Sequence, residues 1–303
     1  MKQNKKLLGA ATGLATAGLV AYALRIEPLL VEATHTELFL PRLPAAWDGL
    51  SILFLSDPHV GQLGERERRV VEVCAALEAP ELIVWGGDFL GSARGVVPAV
   101  TLVRRIAALF PGTPTFAIWG NAEHKIRRER RAWLEALLAE AGVCTLVNES
   151  LPLRLRGETI TLAGCDDPYY GFADLEATFA ELTPERFTLL LAHSPQVAAL
   201  AARAGVDLML SGHTHGGQVR FPLLGPWTSQ NPLSRLLDSG TFDPPRLTRI
   251  LGYDPGGNLT TYISRGIGLA FISSLPWLAP RLNCPPEVAR LTLRKGVDGD
   301  ASA

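Results

Sequence analysis

Five short blocks hold the residues of this sequence whose types and spacing suit chemistry. Asp57 and His59 lie in "SDPH", Asp88 ends "GGD", and Asn121, Glu123 and His124 share "GNAEH". His193 lies in "AHSP", and His213 and His215 lie in "SGHTHGG". Imidazole, carboxylate and amide oxygen together suit Mn, Fe, Co, Ni or Zn and poorly suit calcium. On an extended segment residues i and i+2 point the same way, so His213 and His215 can serve one ligand. Taken singly, each block also reads as an ordinary polar turn, since Asp and Asn often make turns at strand ends. Five of the six histidines fall in these blocks, His35 being the exception, and turn chemistry does not account for that coincidence.

The blocks share a position as well as a composition. Each follows a short apolar run that reads as a buried strand: 50–57, 81–88, 113–121, 187–195 and 206–212. Helical spacing marks 65–79, 96–110 (with Pro98 in the first turn) and 128–142, which Gly142 closes. A hairpin over 151–167 turning at Gly157, and helices over 172–182 and 196–204, complete an α/β pattern. In such sheets ligands sit outside the carboxyl ends of the strands, which is where all five blocks fall. We expect one domain over residues 45–295, an irregular insertion near the site over 221–250, and a disordered tail over 296–303.

Composition narrows the partners. With 29 basic and 30 acidic residues the net charge is −1, so no global field attracts nucleic acid, and none is expected as a partner. The four cysteines form no C-x-x-C pair and read as free. No G-x-S-x-G elbow supports a serine hydrolase. At the N-terminus, Lys2, Lys5 and Lys6 precede an uncharged run over residues 7–24. Its length just matches a thin hydrocarbon core of roughly 27–30 Å. Three readings follow. The first is a single-pass membrane anchor with residues 25–303 outside the cytoplasm. The second is a signal peptide cleaved at Ala21-Tyr22-Ala23, releasing a secreted protein. The third is a buried helix of the domain.

The ordered series D-x-H, G-D, G-N, a lone His and G-H-x-H resembles the signature of the calcineurin-like metallophosphoesterases. The flanks "RIEPLLVEAT", "ISRGIG" and "NCPPE" are similar to a membrane-associated branch that includes UDP-2,3-diacylglucosamine hydrolases. The resemblance implies a four-layer α/β/β/α sandwich of two packed mixed sheets. It also implies two divalent ions, most readily Mn, Fe or Zn. One would be held by Asp57, His59, Asp88 and His215, the other by Asp88, Asn121, His193 and His213. Asp88 would bridge them, one oxygen to each. Two such ions about 3.5–4 Å apart can generate a bridging hydroxide near neutral pH and hold an in-line displacement at phosphorus. The implied function is hydrolysis of phosphodiesters or phosphoanhydrides, on a phosphorylated small molecule or on lipid or cell-envelope precursors at a membrane. The alternatives are a nucleic-acid or nucleotide phosphodiesterase, or a metal-binding membrane scaffold with impaired turnover.

One departure bears on mechanism. Ala122 stands where the family usually places a histidine that protonates the leaving group. Either His124 replaces it as the catalytic acid, or the substrate needs little acid help, as a phosphoanhydride or an activated diester would. Arg265, at a strand end, is a second catalytic candidate, contacting the substrate phosphate. The basic runs 65–69 and 125–131 read either as solvated helix faces or as a collar for anions. Trp227, Phe271 and Trp277 read either as core or as an apolar ledge facing lipid.

Overall fold

The computed structural model describes residues 2–228, 231, 233, 235–270 and 278–296, with side chains from residue 12 onward. In chain order the first strands are β1 (Glu32–Leu40), β2 (Ser51–Leu55), β3 (Leu82–Trp85), β4 (Thr115–Ala117) and β5 (Val143–Thr145). They are followed by β6 (Glu149–Leu155), β7 (Glu158–Gly164), β8 (Thr188–Leu191) and β9 (Leu208–Ser211). A small hairpin, β10 (Arg220–Phe221) and β11 (Gly225–Pro226), precedes β12 (Gly240–Phe242), β13 (Thr260–Ile263) and β14 (Glu287–Lys295). The strands form two mixed six-stranded sheets, ordered β1-β14-β2-β3-β4-β5 and β12-β13-β9-β8-β7-β6.

Side-chain alternation dictates the layering, because successive strand residues face opposite sides of a sheet. Ile52 and Phe54 of β2 join Leu189 and Leu191 of β8 and Leu208 and Leu210 of β9 in an apolar layer between the sheets. The alternate residues Leu53 and Leu55 turn outward to helices α2 (Glu65–Ala75), α3 (Val96–Leu109) and α4 (Arg128–Glu140), which follow α1 (Lys2–Arg25). On the far side, Leu190 and Met209 pack under α5 (Leu175–Phe179), α6 (Ala198–Arg203) and α7 (Pro244–Leu251). The result is the four-layer α/β/β/α sandwich that the resemblance implies. β6 and β7 pair antiparallel across Arg156 and Gly157, both with positive φ (51° and 84°), the backbone that a two-residue hairpin needs.

Two features depart from the expectations. β1 pairs in parallel with β14 from Glu32↔Glu287 to Leu40↔Lys295, so the first sheet begins ahead of residue 45. The single-pass anchor is not supported. Among the described residues no helix is long and apolar enough to cross a membrane. The run over residues 7–24 lacks charge, but twelve of its eighteen residues are Ala, Gly, Thr or Tyr. Such residues contribute little to transfer into hydrocarbon. The end of α1 meets the domain, where Ala23 is buried and its carbonyl accepts the Arg281 amide at 2.9 Å. Residues 297–303, and Phe271 and Trp277 of the apolar ledge, lie outside the described residues; Trp227 is exposed and packs edge-on to Phe221.

Candidate metal centre

The carboxyl ends of β2, β3 and β4 face those of β8 and β9, and the five blocks meet there. The Gly212 amide donates to the His193 carbonyl, and the His213 amide donates to the Asp57 carboxylate at 3.0 Å. Asp57, His59, Asp88, His213 and His215 have φ of 52°, 43°, 54°, 67° and 51°. Left-handed backbone at a non-glycine residue costs about 1–3 kcal/mol and persists where the surroundings over-determine it, commonly at functional sites. Gly120 makes room for the cluster. A Cβ there would lie 2.3 Å from Asp88 Oδ1, 2.7 Å from the Asp88 amide and 2.8 Å from His193 Cε1.

Two overlapping groups of donors result. One oxygen or nitrogen from each of Asp57, His59 and His215 lies within 4.8 Å of the others, and the same holds for Asp57, Asp88 and His193. His59 Nε2 faces His215 Nε2 at 3.2 Å, and His215 Nε2 stands 3.4 Å from Asp57 Oδ1. Asp57 is common to both groups, and Asp88 Oδ2 lies 3.5 Å from His193 Nε2 of its own group and 3.2 Å from His59 Nε2 of the other. Asp88 Oδ1, by contrast, accepts the Ala122 amide at 2.6 Å. Oδ2 is thus the Asp88 oxygen that faces a histidine of each group. Asn121 Oδ1 and His213 Nδ1 meet at 2.8 Å.

The electrostatics are those of lone pairs crowded out of water. Burial opposes charge on His193, but Asp88 and Asp57 outweigh it and push the imidazole up to about 10. Burial also works against Asp88, yet His193 and His59 hold it well below the usual carboxylate range. Burial and the His193 charge press His213 down to about 3, and burial with the neighbouring His59 holds His215 well below its ordinary value. Both are thus neutral and able to offer a lone pair. His193 Nε2, His213 Nε2 and His215 Nδ1 are buried with no hydrogen-bond partner. Orphaned buried nitrogens are costly, about 1–3 kcal/mol each. The neutral His213 and His215, with the carboxylate oxygens beside them, are N and O donors that fit a pair of divalent cations, and a cation at His193 would displace its proton. The Nδ1 of His193 is held by the Gly86 carbonyl at 2.7 Å, which turns Nε2 toward the cluster, a common device in metal-binding histidines.

The two catalytic candidates are placed elsewhere. His124 Nε2 meets Asp166 Oδ1 at 2.7 Å, its Nδ1 meets Arg131 Nη1 at 2.6 Å, and its ring stacks on Phe172. With both nitrogens engaged, it does not line the cavity over the cluster. Arg265 pairs with Glu32 at 3.1 Å and lies 3.7 Å from Glu287, also away from the cavity lining. The "ISRGIG" and "NCPPE" flanks serve instead as a polar support behind Asp57. Glu287 accepts from Ser264 Oγ and from the Arg265 amide, and Glu27 accepts the Cys284 amide. Arg281, fully buried, donates to the carbonyls of Arg265, Gly266, Gly268 and Cys284, and the Gly268 amide donates to the Asp57 carbonyl. Burial presses this guanidinium down to about 10. Arg281→Met strips three buried carbonyls and one part-buried carbonyl of a donor, so we expect a loss of about 3 kcal/mol or more, read as a lowered urea midpoint. An unchanged midpoint contradicts this role.

Other residues gain meaning only in three dimensions. Glu123, fully buried, accepts from the amides of Gly120 at 2.9 Å, Asp88 at 3.0 Å and Leu90 at 3.3 Å, tying the second and third blocks together. Burial and the nearby Asp88 charge push its carboxyl up to about 7. Above the cluster opens a cavity of about 630 Å³, lined by His59, His213 and His215 and also by Lys125, Tyr169 and Tyr170. The sequence marked Lys125 only as part of a basic run, and it carried no signal for the tyrosines.

A family model described as "Calcineurin-like phosphoesterase" matches residues 50–217, more than half of the chain and a span that includes all seven candidate ligands. The uncharacterized metallophosphoesterase YkuE of Bacillus subtilis (strain 168) is 29% identical over 293 residues, covering 94% of this chain and 93% of its own. YpbG of the same organism is 35% identical over 180 residues, 59% of this chain and 66% of its own. Phosphodiesterase YaeI of Escherichia coli (strain K12) is 29% identical over 244 residues, 80% of this chain and 81% of its own. Strand-end ligands, paired sheets and family match agree, and the chain belongs to the calcineurin-like phosphoesterases, a family of metal-dependent phosphohydrolases.

Proposed function

We propose that this protein hydrolyses phosphodiesters or phosphoanhydrides at a dinuclear centre. One ion is held by Asp57, His59, Asp88 and His215 and the other by Asp88, Asn121, His193 and His213. The observation that carries the reading is Asp88 Oδ2, which stands within 3.2–3.5 Å of a histidine from each group. When bound, two divalent ions such as Mn, Fe or Zn supply Lewis acidity and an ionised water near neutral pH. The chain's own contribution is to orient the donors. The Ala122 amide fixes the Asp88 carboxylate, the His213 amide and Ser56 hydroxyl fix Asp57, and Gly86 fixes His193. Those fixed second partners matter because losing one typically costs about 10–100-fold in metal affinity or activity.

The leaving group is constrained by what the site lacks. Ala122 lines the cavity without a proton to give, and both nitrogens of His124 are engaged by Asp166 and Arg131. Substrates with weakly basic leaving groups, anhydrides and activated diesters, are therefore favoured over alkyl esters. General acid help is worth about 10²–10⁴-fold. We accordingly expect p-nitrophenyl diesters to be turned over at least about a hundredfold faster than dialkyl esters, beyond their difference in solution. Comparable enhancements for both classes contradict it. Lipid or cell-envelope precursors as substrates, including UDP-diacylglucosamine, rest on the resemblance of the flanks alone.

Metal dependence tests the reading as a whole. Purified protein stripped with a chelator is expected to lose turnover of bis(p-nitrophenyl) phosphate and to regain it with Mn²⁺. Stripped and reloaded protein that is equally inert identifies a binding scaffold and contradicts the proposal.

A further inference from the structure

Two tyrosines overhang the candidate centre without any part in holding it. Asp167, fully buried, accepts the Tyr169 amide at 3.1 Å and the Tyr170 amide at 2.9 Å, which fixes the turn that presents both rings. The Tyr169 ring packs on His213 with centroids 4.4 Å apart, and the two tyrosine rings are 5.3 Å apart. Lys125 Nζ lies 5.8 Å from the Tyr170 ring centroid. Among the described residues Lys125 is the only Lys or Arg that lines the cavity. Tyr169 and Tyr170 line the cavity and nonetheless stay 41% and 49% exposed.

The same turn is tied down by His124. Its hydrogen bond to Asp166 and its stack on Phe172, 3.8 Å between centroids and 8° between planes, grip the segment just before and just after the two tyrosines. Arg131 of α4 steadies the imidazole from the other side. His124 therefore joins the loop that carries Asn121 to the loop that carries the rings.

We propose that Tyr169 and Tyr170 form a specificity wall for a planar aromatic group attached to the scissile phosphorus, with Lys125 taking the phosphoryl charge beside it. His124 is the positioning residue for that wall. This inference rests on the phosphoesterase reading above and names the substrate class of the same site. Aromatic faces favour offset or edge-on partners at 4.5–7 Å, a gain beyond burial that a saturated ring of equal size does not match. A compact ammonium suits a phosphoryl oxygen as a point charge.

Inhibition by phenylphosphonate and cyclohexylphosphonate isolates the ring from the chemistry. Both are measured against Mn²⁺-dependent turnover of bis(p-nitrophenyl) phosphate by the full chain. Phenylphosphonate is expected to bind about fivefold more tightly. Tyr170→Ala brings that ratio close to one, Tyr170→Phe keeps it, and Lys125→Met weakens both inhibitors by a similar factor. His124→Ala lowers the ratio with no loss of bound metal, a readout that general destabilisation does not move selectively. A ratio near one in the unmodified protein, or one that survives Tyr170→Ala, overturns the wall. Equal weakening of both inhibitors by His124→Ala overturns the positioning role. Absence of metal-dependent turnover counts instead against the phosphoesterase reading.

Discussion

Asp88→Ala is expected to abolish turnover of bis(p-nitrophenyl) phosphate, lowering kcat/KM by about a thousandfold or more. The magnitude follows from what the carboxylate touches. Its Oδ2 faces His59 and His193, so its loss strips a donor from both proposed ions at once. Metal ions contribute several kcal/mol of transition-state charge stabilisation, and about 1.4 kcal/mol is a tenfold change in rate. Asp88→Asn separates charge from packing, because its side-chain oxygen can still accept the Ala122 amide that Oδ1 accepts now. We expect Asn to restore stability and leave most of the activity lost. Steady-state kinetics with metal content measured on the same sample checks both. Retention of more than a tenth of the activity by either variant contradicts a bridging role.

Gly120→Ala removes no functional group, yet a loss of about a hundredfold or more is expected from it. The added methyl carbon falls 2.3 Å from Asp88 Oδ1 and 2.7 Å from the Asp88 amide. A contact with backbone cannot be relieved by a rotamer change, so the loops carrying Asp88 and Asn121 must separate. Overpacking of this kind costs about 1–3 kcal/mol in stability. A displacement near 1 Å at reacting groups costs about 10²-fold in rate. Thermal unfolding and kcat/KM read on one preparation distinguish the two effects. Unchanged activity shows that the close approach of these loops is not needed.

How much of this was legible beforehand depends on the range of the interactions. The proposed ligands were legible because each directly follows a strand whose apolar run is a local signal, and parallel strands deliver their carboxyl ends to one rim. The backbone of those residues was not: nothing in the letters says that Asp57, Asp88 and His213 adopt positive φ. His124 and Arg265 have the right chemistry in nearly the right place, and their engagement comes from distant partners. Asp166 is 42 positions from His124, and Glu32 is 233 from Arg265. The same range hid β1, whose partner β14 lies at the other end of the chain. Tyr169 and Tyr170 sit in an irregular turn that Asp167 fixes, and no periodicity points to them. The N-terminal run misleads for a different reason: it carries no charge, yet its Ala, Gly and Thr are too weakly hydrophobic to make a span.

The central claim is that two cations share Asp88. Crystals grown with Mn²⁺ and recorded above the manganese absorption edge test it most directly. Two anomalous peaks about 3.5–4 Å apart are expected, flanking Asp88 Oδ2, with His59 and His215 on one and His193 and His213 on the other. A single peak in this pocket, or two that share no carboxylate, contradicts it.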